Sequence, residues 1–162
     1  MEKSLAPLIG PDAASLTARL MHTYAVWWFE TTFVTLPLGV AVQVHHSATL
    51  AVAAVVAGTL WLGLGLHMAV ISRRVGRAVR TFVEATYGFR PHHTTFRGPR
   101  EAYGWLRLDQ LYQAAGIRVT RVGATKEYGS RWSRPGLIRD LEAKFRAEGR
   151  GLPVGPPVPQ GW

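Results

Sequence analysis

One stretch, residues 24–72, limits what this chain can fold into, because Glu30 is its only charged residue. A polar break at residues 45–47 (His-His-Ser) divides the stretch into apolar blocks at 24–44 and 48–72. At ~1.5 Å per residue, helices of these lengths would measure roughly 31 and 37 Å, and the hydrocarbon core of a bilayer is about 30 Å thick. The first block is too long for the apolar region of a cleaved signal peptide. We therefore predict a permanent two-pass transmembrane helical hairpin.

The basic residues of the chain are concentrated after the hairpin. Residues 73–162 contain 17 Lys and Arg against 7 Asp and Glu, a net charge of +10, whereas residues 1–72 carry −1. Four arginines follow the second block closely, and the break between the blocks contains no Lys or Arg. Because Lys and Arg favour the cytosolic side of a membrane, we predict that both termini are cytosolic. Arg outnumbers Lys 16 to 3, which we interpret as a sign of a GC-rich bacterial or phage genome and hence of a bacterial inner membrane.

Helical patterns flank the hairpin on both sides. Residues 1–23 lead into the first span, with an irregular start over 1–12 and a short amphipathic helix after it. Pro37 predicts a kink in the first span, which lipid-embedded helices tolerate when neighbouring groups bond the freed carbonyl. Beyond the second span, residues 73–89 are predicted to continue as a basic juxtamembrane helix with one apolar face. That face consists of Val75, Val79, Phe82 and Val83, and Gly88 is the predicted end of the helix.

The part of the chain that follows is predicted to fold as a small, mostly helical basic domain over residues 90–149. Pro99 and Gly116 delimit one helix, and a second is expected over residues 133–148, with Ser133 as its N-cap and Gly149 as its end. Residues 117–122 have the composition of a short strand, so one strand remains compatible with the sequence. The predicted fold class is therefore an all-α membrane protein: a two-pass hairpin with a helical tail domain.

Residues 150–162 are rich in Pro and Gly and are predicted to be disordered or to form polyproline II. Within them, Arg150, Pro153 and Pro156 fit the basic-x-x-Pro-x-x-Pro pattern that polyproline-binding grooves recognise. A solubilising tail is the favoured interpretation of this composition.

Glu30 and His67 are the ionisable side chains that stand out inside the predicted spans. An antiparallel hairpin brings them to a similar depth, so we predict an intramembrane polar pair. Ionisable groups at this depth are candidates for proton or ion pathways. The favoured alternative is structural: the two side chains neutralise each other, or Glu30 reaches the interface or Arg73.

Arginines next to the membrane and in the tail are the candidate binding residues. Those that follow the second span fit three interpretations: fixing the topology, attracting anionic lipid headgroups, and binding nucleic acid. They are Arg73, Arg74, Arg77 and Arg80. Further along, arginines alternate with aromatic residues, a combination that can neutralise phosphates and stack bases, although an ordinary solvated basic face has the same composition. The predicted partner-binding residues are Arg97, Arg100, Trp105, Arg131, Trp132 and Arg134.

The sequence lacks the motifs that are typical of several classes of enzyme and metal site. The chain has no cysteine, phosphate-binding loop, nucleophile elbow, zinc-protease helix or Gly-rich dinucleotide turn. The adjacent histidines at 45–46 and at 92–93 have no third ligand nearby in the sequence. We therefore predict no enzyme activity, no cofactor and no metal site.

The leading functional hypothesis is a membrane-anchored recruitment protein whose basic tail engages an acidic partner: nucleic acid, anionic lipid or another protein. Small residues in the spans (Thr31, Thr35 and Gly39; Ala54 and Gly58) favour close helix packing, so a homo-oligomer or a subunit of a membrane complex is expected. The competing hypothesis is an oligomeric pore former. In topology alone, residues 24–80 resemble the shorter phage holins, and the resemblance implies membrane permeabilisation.

Overall fold

The computed structural model describes residues 2–117 and 134–159, and all regular structure within these ranges is helical. The elements are α1 (Glu2–Ile9), α2 (Pro11–Glu30), a π-helical turn (Thr31–Thr35), α3 (Leu36–His45), α4 (Ala48–Tyr87), α5 (Pro99–Ala114) and α6 (Arg134–Ala147). The prediction of an all-helical chain is thus confirmed over the described residues. Apart from Ile117, which has no regular structure, the predicted strand at 117–122 lies outside them.

Two helical segments are long and apolar enough to cross a membrane: Pro11–His45 and α4. In their most apolar windows, 0% and 6% of the residues are buried inside the protein. Large apolar side chains are therefore exposed along both segments; Phe33 is 65% exposed and Leu66 is 70% exposed. The core helix of a soluble domain would bury these side chains, so the pattern is compatible with membrane spans.

The predicted distortion at Pro37 takes the form of the π-helical turn. Proline lacks an N–H group, and its ring clashes with the carbonyl four residues earlier, which here belongs to Phe33. The Leu36 N–H bonds to the Thr31 carbonyl, five residues back, in the turn that directly precedes the proline. The predicted break between the two segments is confirmed at His46, whose left-handed backbone (φ 45°) ends α3.

The chain divides into two compact units. The first, which we call the terminal unit, consists of Met1–Thr17 together with Val75–Trp162; the second, the hairpin unit, is Ala18–Arg74. The terminal unit is thus assembled from the two ends of the chain. Its core contains Leu5, Leu8 and Ile9 of α1, Val75, Val79 and Val83 of α4, Phe96 of the loop before α5, Leu106, Leu108 and Leu111 of α5, and Ile138 and Phe145 of α6.

The prediction of an irregular start is wrong for α1. Pro7 and Gly10 are helix breakers, but Leu5 and Leu8 lie three residues apart on one face and are buried in the terminal unit. The Tyr87 hydroxyl donates a hydrogen bond to the Pro7 carbonyl (2.9 Å). Gly10 ends the helix with a backbone φ of +87°, and a Cβ there would overlap the Phe82 ring. Packing against distant residues therefore outweighs the weak local propensity.

The other helices of the terminal unit are the end of α4, α5 and α6, and each lies over residues that the sequence predicts to be helical. α4 continues past the apolar stretch with Val75, Val79 and Val83 fully buried, although Phe82 is only half-buried. The predicted terminators Gly88, Gly116 and Gly149 all have positive φ, the conformation that ends helices most easily at glycine. For α6, the predicted capping residue Ser133 lies outside the described residues.

The C-terminal segment, which the sequence predicts to be disordered or polyproline II, makes specific contacts in the structure. Residues 151–159 have no regular secondary structure, but Pro156 is buried, and the Pro153 and Val154 carbonyls accept hydrogen bonds from α5 side chains. We call residues 150–159 the C-terminal strap. Composition alone does not reveal these contacts, because the side chains that donate hydrogen bonds to the strap lie about forty-five positions earlier in the sequence.

Candidate functional site

Six of the ten predicted arginine and tryptophan binding residues are solvent-exposed arginines. Arg73, Arg74, Arg77 and Arg80 are exposed on α4, and Arg97 and Arg100 are exposed near the start of α5. Within the described part of the chain, none of the six takes part in an ion pair. Their charge is therefore available to an external partner.

The α4 arginines lie on a different face of their helix from the buried valines. Arg73, Arg77 and Arg80 are spaced four and three residues apart and so share one face. At ~100° per residue, this face lies roughly 130° around the helix from the stripe that contains Val75 and Val79. Burial of the valines therefore leaves the arginines exposed, which is the amphipathic arrangement that the sequence predicted.

Trp105 and Arg134, by contrast, contact each other within the terminal unit. The Arg134 guanidinium lies 4.0 Å from the centre of the Trp105 ring, and Arg134 is only 7% exposed. The His93 ring stacks on the same tryptophan with 3.7 Å between ring centres. Two of the residues predicted to bind a partner thus pack against each other inside the terminal unit. Arg131 and Trp132 lie outside the described residues.

The loop before α5 is anchored on Asp109. The Asp109 side chain is fully buried and accepts hydrogen bonds from the backbone N–H groups of His92 (2.8 Å) and His93 (3.4 Å). The two imidazoles lie beside it, with His92 Nδ1 3.4 Å from Oδ1. These contacts hold residues 90–98 against α5, so the adjacent histidines have a structural partner that the sequence did not reveal.

Burial determines the protonation of His93. It lowers the pKa of the imidazole below its ordinary value, and the positive charges of Arg134 and protonated His92 act in the same direction. Asp109 and Glu101 act in the opposite direction, since negative charge stabilises the protonated ring, but burial is the largest cause. His93 is consequently favoured in its neutral form, which is suited to stacking on an indole.

Arg107 is the centre of a buried polar cluster. Its guanidinium donates to Glu142 Oε1 from Nε (2.9 Å) and from Nη2 (2.6 Å), which joins α5 to α6. Its Nη1 donates to Gln110 Oε1 (2.8 Å) and to the Pro153 carbonyl (2.9 Å). The side chain is 8% exposed. From the sequence, Arg107 is one of the tail arginines that alternate with aromatic residues, and only the structure shows that residues 102–104 and 106–112 of its helix are all buried.

Arg150 fixes the beginning of the strap. Its guanidinium donates to the Ala114 carbonyl at the C-terminal end of α5 and lies 4.4 Å from the centre of the Phe145 ring. A cation at a helix C-terminus is favourable because the helix dipole is negative there. The strap is therefore bound at its first residue as well as at its middle.

In the hairpin unit, Glu30 and His67 are not brought together. Glu30 Oε1 accepts a hydrogen bond from the Thr35 hydroxyl (2.6 Å), whereas His67 is exposed, and no ion pair joins the two among the residues described. The extra residue of the π-helical turn places Thr35 within reach of Glu30, so the carboxylate finds its partner within its own segment.

The helices of the hairpin unit are joined instead by tryptophans. The Trp27 and Trp61 rings are 5.5 Å apart, and the Trp61 indole N–H donates to the Thr31 hydroxyl (2.8 Å). Thr31 in turn donates to the Trp27 carbonyl (2.7 Å). A Cβ at Gly39 or Gly58 would meet no atom within 4 Å, so these predicted packing positions face open space.

No three His, Asp or Glu side chains within the described ranges form a group that could hold a metal ion. Compared with protein-family models, curated proteins and solved structures, the chain shows no match. Its function must therefore be argued from the two apolar segments, the exposed arginines and the internal contacts of the terminal unit.

Proposed function

We propose that this chain is a membrane-anchored recruitment protein. Residues 18–74 cross the inner membrane of a bacterium as a helical hairpin, and the terminal unit lies in the cytosol. There, its exposed arginines bind anionic lipid headgroups and an acidic partner, either DNA or a protein.

The main support for this proposal is that the terminal unit is built from both ends of the chain. Its core combines α1 from the start of the chain with α5 and α6 from the end. Segments that pack into one core must lie on the same side of a membrane, so an intervening stretch that crosses does so an even number of times. Two apolar helical segments meet that condition. This reasoning supports a hairpin independently of the charge distribution.

The arginines on α4 supply the orientation and the lipid contact. They directly follow the apolar stretch, where a positive charge is attracted to an anionic membrane surface by about 1 kcal/mol per residue. The positive-inside tendency places the same residues in the cytosol. Arg97 and Arg100, which are exposed and take part in no ion pair among the described residues, are assigned to a further acidic partner.

The topology is tested with single cysteines, since the chain has none of its own. In intact cells, a membrane-impermeant thiol reagent should label Ser47→Cys, in the turn between α3 and α4, and should not label Ala143→Cys, on the exposed face of α6. After the cells are lysed, both variants should react. Labelling of Ala143→Cys in intact cells would refute the cytosolic placement.

The acidic partner is tested with the full-length protein in nanodiscs of neutral lipid. Duplex DNA should bind at low salt, and its affinity should fall steeply as the salt concentration rises. Replacing Arg97 and Arg100 by Gln should reduce the slope of log K against log salt by about 2, since each phosphate contact contributes roughly 0.9. Arg139→Gln, an exposed arginine on α6, is the matched control. An unchanged slope, or no DNA binding at low salt, would exclude DNA as the partner of these residues.

A pore former remains the second candidate, favoured by the open positions in the hairpin unit. Gly39 and Gly58 have room for another helix, and a groove of about 470 Å³ lies along one face of the first segment, between Thr32 and His45. Small residues allow close helix association in lipid. Expression of a pore former should collapse the membrane potential abruptly, whereas a recruitment protein should leave the potential intact.

A further inference from the structure

The C-terminal strap is seated on α5 and α6 as an extended peptide would be seated in a binding groove. Two side chains one turn apart on α5 donate hydrogen bonds to consecutive backbone carbonyls of the strap. Arg107 Nη1 donates to the Pro153 carbonyl (2.9 Å), and Gln110 Nε2 donates to the Val154 carbonyl (2.6 Å). The Gln110 carbonyl oxygen accepts from the same guanidinium, which fixes the amide with its N–H₂ group toward the strap (2.8 Å). Both donors are nearly fully buried.

The groove also selects the residues of the strap. A Cβ at Gly155 would overlap the Arg107 guanidinium, which its bonds to Glu142 and Gln110 hold in place, so a larger residue is disfavoured at this position. The next residue, Pro156, is buried, and Arg150 binds the end of α5. The strap thus contributes backbone carbonyls as acceptors, a glycine where space is short and a buried proline. Protein grooves bind extended Pro-rich peptides in a similar way.

We propose that this face of α5 and α6 is a peptide-binding groove for an extended Pro- and Gly-rich segment, and that it takes the strap of a second copy of this chain. The strap of the same copy is its resting occupant. Exchange between copies needs no new recognition, because the segment that fits the groove is part of every copy. Gly149, with a φ of +67°, separates α6 from the strap and supplies the position where the strap changes direction.

The resting occupant hides the groove from a second copy. A short tether gives the strap an effective concentration on the order of 1 mM at its own groove. The strap of the same copy therefore competes with the strap of a second copy and reduces its binding. The proposal thus predicts that the groove becomes available when the strap of the same copy is displaced. It goes beyond recruitment through arginines, and its test does not depend on the topology.

The first experiment measures binding of a fluorescent peptide with the sequence of residues 150–159 to the full-length protein in detergent micelles. Gly155→Val displaces the strap of the same copy while leaving the groove unchanged. This variant should bind the peptide at least about tenfold more tightly than the wild type, which carries a competing strap. A peptide with the same glycine replaced by valine is the matched control and should not bind. A chain ending at Gly149 is the second form of the empty groove, should Gly155→Val fail to fold.

The second experiment tests the second copy as occupant. Gly155→Val supplies an empty groove with a defective strap, and Gln110→Ala supplies an intact strap with a weakened groove. Full-length chains of the two kinds, with different tags, should form mixed dimers when combined, and neither variant should do so with itself. Peptide binding together with mixed dimers supports the proposal. Absence of peptide binding to both empty-groove forms overturns the groove, and peptide binding without mixed dimers overturns exchange between copies.

Discussion

The buried pair of Arg107 and Glu142 allows a quantitative test of how the terminal unit is held together. Arg107 is 8% exposed and Glu142 18% exposed, and two hydrogen bonds of 2.6 and 2.9 Å join them. Removing one partner of a buried pair leaves an uncompensated charge and destabilises a protein by about 3–5 kcal/mol. Because Glu142 keeps some contact with water, we expect the lower end of this range for Glu142→Leu and Arg107→Met, about 3 kcal/mol each.

The double variant should be much less unstable than the sum of the two. Replacing both partners by apolar residues removes the buried charges together, and such replacements are often tolerated. We expect a total loss of about 3–4 kcal/mol, and therefore a coupling energy of about 2–3 kcal/mol between the two positions. The remaining loss reflects the Arg107 bonds to Gln110 and to the Pro153 carbonyl, which the double variant also lacks.

The assay is equilibrium urea unfolding of the full-length protein in a mild detergent, followed by tryptophan fluorescence. Arg146→Met is the control, because Arg146 is exposed and lies 3.9 Å from the other Glu142 oxygen. Such surface pairs contribute at most about 1 kcal/mol, so the control should change stability by less than about 0.5 kcal/mol. If the effects of the two single variants add within about 0.5 kcal/mol, the pair is not coupled and this account of the α5–α6 contact is wrong.

Three further predictions follow from packing and protonation. Val79→Ala in the buried stripe of α4 should destabilise the terminal unit by about 2 kcal/mol in the same unfolding assay, whereas Val55→Ala, at a position 69% exposed in the protein, should change its stability by less than about 0.5 kcal/mol. Trp61→Phe removes the indole donor to Thr31 and should weaken the hairpin unit by about 1 kcal/mol, measured by unfolding in SDS; an unchanged midpoint would contradict a role for this bond. Burial lowers the folded pKa of His93, so the unfolded state binds more protons as the pH falls below the ordinary histidine pKa, and stability should decrease on acidification. His93→Phe should decrease that acid sensitivity, and equal losses between pH 7.5 and pH 5 in both proteins would refute the assignment.

The sequence predicted best the features that are determined locally. The apolar run, its polar break and the valine stripe of α4 depend on residues within a few turns of each other, and the structure confirms them. The glycine terminators Gly88, Gly116 and Gly149 were predictable for the same reason, since each needs only its own backbone conformation. Pro37 likewise indicated where the first segment would be distorted.

Most of the features that escaped prediction depend on long-range contacts. α1 looked irregular because its helix is stabilised by burial of Leu5 and Leu8 and not by local propensity. The burial of Arg107 escaped prediction because its partner Glu142 is thirty-five residues away in the sequence. The structure does not bring Glu30 and His67 together: Thr35, close by on the same segment as Glu30, provides a bond that regular helical spacing did not suggest.

Long-range contacts also decide which of the predicted partner-binding arginines are exposed. Arg97 and Arg134 are the same residue type in the same basic segment, yet one is exposed and the other is 7% exposed against Trp105. Composition could not separate them, because an arginine that stacks on an indole inside a protein has the same neighbours in sequence as one that faces solvent.

The shared core of the two chain ends also sets an order of events during biosynthesis. α1 leaves the ribosome with its apolar face complete, but the α5 residues that cover it are made roughly 5–20 s later at usual rates of synthesis. The whole hairpin unit is synthesised in the interval. During that time the nascent chain displays the apolar face of α1 without its α5 partner. Premature termination before Pro99 would leave α1 without α5 permanently, which makes such fragments natural substrates for proteolysis.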